Sequence, residues 1–270
     1  TSSLVGSEMC IRDSCVTSCN DLEELNKDPN NPTETHPQLL LTQIQWTAFR
    51  EFQGTSPLYA NKMLVQTDGE NSYQYYKWNR GDYSYTKMKD ISKMMEEAQK
   101  INENSYVALG KFFRAYYFYN MTLRFGDIPY SEALKGESDN IFAPVYDNQK
   151  DVITGILNEL EEANTIIENE KAAIKGDIIY NGDTDKWQRL INSFRLKVLL
   201  SLSHKESDTD LNVKSKFASI VQSEPLMSGN QDNGQLVYLD QADNRYPEFN
   251  SSSFGSGMYL SLIHISEPTR

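Results

Sequence analysis

Side chains able to do chemistry are unevenly spread along this 270-residue chain, and the densest group is Asn71–Tyr85, NSYQYYKWNRGDYSY. The segment alternates Tyr or Trp with Asn, Gln, Asp and Arg. A sugar ring has a C–H face that stacks on an aromatic plane, while its hydroxyls need amide and carboxylate partners. Tyr and Trp supply an apolar body with a polar tip at low conformational cost. A wet, aromatic platform of this kind suits capture of an oligosaccharide or a peptide. Tyr73, Tyr76, Trp78 and Tyr85 are the candidate ligand-contacting rings, whereas Tyr75 and Tyr83 are read as rings packed on neighbouring helices. On sequence alone the plainer alternative stays open: all of these rings could close the core.

Signatures of catalysis are missing. There is no HExxH, GxSxG, Walker loop or GxGxxG. Away from the chain ends, His36 sits in a polar stretch and His204 at a helix end, where an imidazole favours the dipole. Both are read as solvated or capping. With 38 Asp and Glu in the chain, glycosidase-like carboxylate pairs discriminate nothing. Glu96-Glu97 and Glu161-Glu162 fall on the solvent faces of amphipathic helices. Asp28 and its Asn neighbours lack the ligand spacing of an EF-hand. No cysteine follows Cys19, which excludes a disulfide framework and a thiolate zinc site. The expectation is a protein without catalytic residues, metal or cofactor, and not an enzyme.

The formal net charge is −12. That argues against binding the backbone of a nucleic acid, which needs clustered Lys and Arg, and against an anionic lipid surface. No apolar run reaches the ~20 residues that cross a bilayer.

The element that must position everything else is Leu109–Leu123, apolar and aromatic nearly all the way round from Phe112 to Met121. A helix apolar on every side must be buried on every side. Ser105 is placed to cap it, and Gly126 with Pro129 stops it. Lys87–Ile101 carries Met88, Ile91, Met95 and Ala98 on one stripe, and the short 102–105 connection makes it antiparallel to the central helix. Pro37 opens a helix with Leu40, Ile44, Phe49 and Phe52, and Trp46 nearby. Asp147 caps one lined by Val152, Ile156, Leu160, Ala163 and Ile167. Asp183 or Thr184 starts another, with Trp187, Leu190, Ile191, Phe194, Val198 and Leu202 on its buried stripe. A shorter helix, Asn212–Val221, precedes a loose tail from Ser228 to Gly257. Strand signals are nearly absent, so the class is all-α with long irregular loops.

The corner after the central helix, Arg124–Tyr130, is read as a structural clasp. Gly126 gives backbone freedom, Asp127 can bond its own loop amides, Pro129 fixes the exit, and Arg124 is spaced to pair with Asp127. Arg195 and Lys197 lie within a strongly apolar helix. They face a partner protein or snorkel along the surface.

Three segments carry a family resemblance. Arg114–Tyr119 followed by Phe125–Ala133 (FGDIPYSEA), Pro144–Gln149 leading into a helix, and Asp185–Leu196 (DKWQRLINSFRL) strongly resemble the SusD/RagB family, in that family's order. The likeness spans most of Cys19 to Tyr259. It implies a tetratricopeptide-like stack of helical hairpins, although no clean repeat near ~34 residues is found in the sequence itself. It also implies a Bacteroidetes outer-membrane lipoprotein that binds nutrient, glycan or peptide, at the cell surface for a SusC-like TonB-dependent transporter. Two alternatives remain: a polysaccharide-degrading surface lipoprotein, and a helical-repeat adaptor with no small-molecule ligand.

Both ends are expected to be foreign to the gene. Leu260–Arg270 can be encoded by a DNA whose reverse complement, read one frame over, spells Leu4–Asp13. One DNA thus accounts for both ends, and it resembles a transposase adapter used in sequencing libraries. Between them, Val16-Thr-Ser-Cys19 looks like a lipobox, with acidic Asp21, Glu23 and Glu24 following as in surface-exported lipoproteins. An ordinary free or buried cysteine is the alternative. The expected layout is adapter-derived residues 1–14, a signal-peptide remnant 15–18, a lipidated tether 19–36 beginning at Cys19, a C-terminally truncated SusD-like helical domain 37–259, and adapter-derived residues 260–270.

Overall fold

The computed structural model describes residues 35–50, 56–66, 85–241, 245–246 and 258–260. Everything described below belongs to the unit His36–Arg270. Cys19, the tether as far as residue 34, the two preceding segments and the rings Tyr73, Tyr75, Tyr76, Trp78 and Tyr83 lie outside the described residues, as do Phe52 and most of the C-terminal stretch.

Helix α1, Pro37–Phe49, opens as proline at its first turn allows, with His36 as the N-cap accepting the Gln38 N–H at 3.3 Å. After the short α2, Ser56–Ala60, strand β1 (Leu64–Gln66) pairs antiparallel with β2 (Met258–Leu260). This ladder takes in Leu260, the first residue attributed above to adapter DNA. Three-residue strands carry too little alternation to be read from sequence.

Helices α3 (Thr86–Lys100) and α4 (Asn104–Phe125) form the expected hairpin. Met94, rather than Met95, is the fully buried methionine of α3. Met95 lies half-buried against Gly110, where an added Cβ would come within 2.3 Å of its side chain. Glu97 also departs from expectation. It is only 5% exposed, and Lys93 and Lys100 bracket it at 3.0 and 2.8 Å, so only Glu96 of that pair truly faces solvent. Ser105 does not cap α4. The helix starts one residue earlier, after Glu103, without a side-chain cap.

Helix α5 (Gln149–Asn169) is capped by Asn148, which accepts the Asp151 N–H at 3.0 Å, and not by Asp147. Asp147 is engaged in the corner. Asp183 caps α6 (Thr184–Ser201) as expected, and α7 runs Val213–Ser223. Contacts run α1 to α3, α3 to α4, α4 to α5, α5 to α6 and α6 to α7, each helix against the next. That is the arrangement of a helical-hairpin stack. At its centre Phe112 and Phe113 meet Trp187 edge-on at 5.8 Å each, and Phe112 and Tyr119 meet Phe194 at 5.7 and 5.4 Å. No helix among the described residues is long and apolar enough to cross a membrane.

The loop between α5 and α6 is organised by one buried carboxylate. Asp177 accepts from Gln45 Nε2, Ile179 N–H and Tyr180 N–H on one oxygen, and from Gly182 N–H and the Trp187 indole N–H on the other, at 2.8–3.3 Å. Gln45 Oε1 in turn accepts the Ile178 N–H at 2.8 Å. The loop is thereby tied to α1 and α6 at once. Asp177→Ala strips these donors of their shared acceptor, and a loss of about 3 kcal/mol or more in unfolding free energy is expected. Urea titration followed by far-UV circular dichroism measures it.

Candidate ligand-binding face

In sequence the ring-rich segment follows strand β1, Leu64–Gln66, and ends at Tyr85, the residue before α3. Tyr85 is half-buried. Its hydroxyl donates to the Pro129 carbonyl at 2.7 Å, and its ring meets Phe118 edge-on at 6.1 Å. Two residues singled out separately in the sequence, Tyr85 and Pro129, are thus in contact. The other candidate rings, Tyr73, Tyr76 and Trp78, lie outside the described residues.

The corner beneath Tyr85 is held by polar groups with few alternatives. Gly126 ends α4 at φ +76°, a conformation that strains any side chain. Its N–H donates to Thr122 O at 2.9 Å, and the Thr122 hydroxyl donates to Gly126 O at 2.7 Å. Among the described residues Asp127 makes neither the expected local loop bonds nor an ion pair with Arg124. Its carboxylate accepts the Gln149 N–H at 2.9 Å, fastening the end of α4 to the start of α5. Helix N-termini leave such N–H groups without partners, and this donor outcompetes a solvated, exposed arginine. Ile128 and Asp147 exchange backbone hydrogen bonds at 3.2 and 3.1 Å. The Asp147 carboxylate then accepts from the Tyr130 and Ser131 N–H groups at 2.9 and 2.8 Å and from the Ser131 hydroxyl. Burial opposes its ionisation, but the Ser131 and Tyr130 donors outweigh that cost and hold its carboxyl below the usual carboxylate range.

Tyr130 turns inward from this clasp. Its ring stands edge-on to Phe118 at 4.8 Å and lies against Gly155, where any Cβ would sit 2.3 Å from the ring. Its hydroxyl donates to Glu159 at 2.7 Å, and Arg114 approaches the same carboxylate oxygen at 3.1 Å with its guanidinium over the Phe118 and Tyr130 rings. Burial pushes the Glu159 carboxyl up, against the opposing pull of Arg114, and burial likewise raises the Tyr130 hydroxyl. A raised carboxyl is also what a general acid needs. One oxygen of Glu159 is approached by Tyr130 and Arg114, the other is buried without a hydrogen-bond partner among the described residues, and Glu162 pairs with Lys111 at 2.6 Å, so the cluster spans the α4–α5 contact. His204 lies exposed in the 3-10 turn after α6, and His36 is spent on capping α1.

Outside the clasp the corner loop displays apolar side chains that sequence reasoning passed over. Phe142 is 83% and Tyr146 69% exposed, with Val145 between them in sequence. Nothing in their spacing marks them, because a loop ring has no period to betray its direction.

Comparison with known proteins supplies the family. Residues 29–258 match the SusD-like family described as starch-binding and associating with the outer membrane. The chain belongs to the SusD-like family. A SusD homolog from Bacteroides fragilis NCTC 9343 is 53% identical, with a TM-score of 0.76 over 84% of this chain and 49% of its own. A Bacteroides vulgatus ATCC 8482 outer-membrane protein with a suggested role in nutrient binding is 51% identical, with a TM-score of 0.76 over 86% of this chain and 50% of its own. A second B. fragilis SusD homolog is 36% identical, with a TM-score of 0.69 over 76% of this chain and 44% of its own. This SusD-like chain spans about half the length of the solved structures it matches. No curated protein matches it. The FGDIPY corner and the DKWQRLINSF helix, which carried the resemblance in the sequence, are the clasp and the Trp187 helix of the fold.

For a carboxyl depressed by native contacts, the stabilisation is full above the unfolded-state value and fades as pH falls through the folded one. Asp147→Ala in this SusD-like chain is therefore expected to cost about 2 kcal/mol at pH 7, with the gap from the parent narrowing at pH 3. Denaturant unfolding at the two pH values checks both the magnitude and its direction.

Proposed function

We propose that the chain is the helical part of a cell-surface lipoprotein that binds a glycan or peptide nutrient and passes it, without breaking a bond, to a SusC-like TonB-dependent transporter. The observation that carries this reading is the match to the starch-binding, outer-membrane-associating family over residues 29–258, joined to identities of 51–53% with solved Bacteroides proteins of the same fold. The described site chemistry agrees with it. The clasp carboxylates and the Glu159 cluster are tied into the scaffold, and the corner loop exposes the rings of Phe142 and Tyr146. Lipidation at Cys19 would hold the protein on the outer membrane without a spanning helix, since each buried CH₂ of an acyl chain contributes about 0.8 kcal/mol. Tyr73, Tyr76 and Trp78 are the proposed ligand rings. Tyr85, fixed to Pro129, anchors the segment that bears them.

Calorimetric titration of the full chain with a panel of starch oligosaccharides, other glycans and short peptides tests the proposal. Binding of at least one panel member without product release is expected. Tyr76→Ala and Trp78→Ala should each weaken it about tenfold, the loss of a stacked ring being worth roughly 1.5 kcal/mol. Release of shortened product would instead establish the degrading enzyme. Silence across the panel, with a protein partner retained, would establish the adaptor. Independently, Cys19→Ala expressed with an intact leader is expected to move the protein from the membrane to the soluble fraction, as read by fractionation and immunoblot.

A further inference from the structure

A cavity of about 270 Å³ opens between α5, α6 and α7, away from the clasp. Arg195 lines it and is only 6% exposed, so this side chain neither snorkels to the surface nor faces a partner protein. Its Nη1 donates to Asn192 Oδ1 at 3.0 Å and lies 3.6 Å from the Glu224 carboxylate. Its Nη2 makes no hydrogen bond among the described residues and stands 3.7 Å from Glu161. Both carboxylates therefore remain outside hydrogen-bond distance of a buried cation. The guanidinium is held in place from behind. Asn192 donates to Asn164 at 2.8 Å, Gln188 donates to the same oxygen at 3.1 Å, and Asn164 donates to Glu224 at 3.1 Å. Lys216 stands at the rim, without an ion pair among the described residues.

The Nη2 edge of the guanidinium faces the open cavity with donors to spare, so a ligand oxygen could take the place of water there. The signs of the surrounding charges decide what kind of ligand. Arg195 and Lys216 stand against Glu161 and Glu224, two charges of each sign, so neither a lone anion nor a lone cation is favoured. A sugar would find no ring to stack on, because none lines the cavity. A carboxylate and an ammonium a few ångströms apart satisfy both signs at once. We propose that this cavity binds a small zwitterion of the α-amino-acid class, its carboxylate on Arg195 Nη2 and its ammonium on Glu161 and Glu224. The site is separate from the ring-bearing segment and does not depend on the glycan reading.

Titration calorimetry on the full chain with glycine, L-serine and L-glutamine, each to about 10 mM so that millimolar affinities register, tests it. Glycinamide and acetate, which each keep one of the two charges, are the comparators. The amino acids are expected to bind at least about tenfold more tightly than either comparator, the ratio that loss of one charge-assisted hydrogen bond gives. Glu161 is exposed, so Glu161→Gln leaves the fold intact and should weaken amino-acid binding about tenfold while leaving any glycan binding unchanged. Arg195→Gln, if folded by circular dichroism, should abolish it. No binding by any of the three amino acids, acetate binding as tightly as glycine, or unchanged affinity in Glu161→Gln would each overturn the proposal.

Discussion

The constraint on which the structure rests is that α4 is buried over most of its circumference as far as Thr122, while its last turn, Leu123–Phe125, is exposed, contrary to the expectation for Leu123. Phe113, Phe118, Leu109 and Ala108 are fully buried, and Phe112, Tyr117 and Tyr119 nearly so. Burying side chains of that size contributes roughly 1.5–3 kcal/mol each, but only if neighbours cover the whole circumference. α1 and α3 cover one side and α5 another, while α6 brings Trp187 against Phe112 and Phe113. The order of the stack follows from that need. Each hairpin presents one apolar stripe, and the all-apolar helix is the element able to receive stripes from several of them.

The second organising principle is electrostatic. In a chain of net charge −12, carboxylates are plentiful, and three of them are used as acceptors for loop backbone. Asp177 gathers the α5–α6 loop and Asp147 the corner. Asp232 is held below the usual carboxylate range by the Ser228 N–H, helped by the Ser228 hydroxyl and Arg189 against the cost of burial. Tyr180 links two of these centres. Its backbone N–H reaches Asp177, and its hydroxyl donates to the Asp232 carbonyl at 2.7 Å. Irregular loops are thereby fastened to the helices, with Asp177, Asp147 and Asp232 as the fasteners of their turns.

Tyr85, at the start of α3, is bonded to Pro129, so the clasp fixes the entry to that helix. The α5–α7 cavity differs in character, with charges of both signs and no rings.

The sequence by itself determined the longer helices, their order and the family, because long apolar stripes and a Gly-Asp-Ile-Pro corner are local patterns that survive any packing, whereas the five-residue α2 is too short to show one. Trp187 and Phe113 could be placed in the core from spacing alone. Partners across long separations were beyond it. That Asp147 serves the corner while Asn148 caps α5, that Asp127 reaches Gln149 and not Arg124, and that Arg195 is buried among Asn192, Glu161 and Glu224 were decided only by the tertiary structure. A polar side chain has several acceptors or donors within its local reach. Which of them it takes depends on which is desolvated when the helices close, and that is a property of the packed chain.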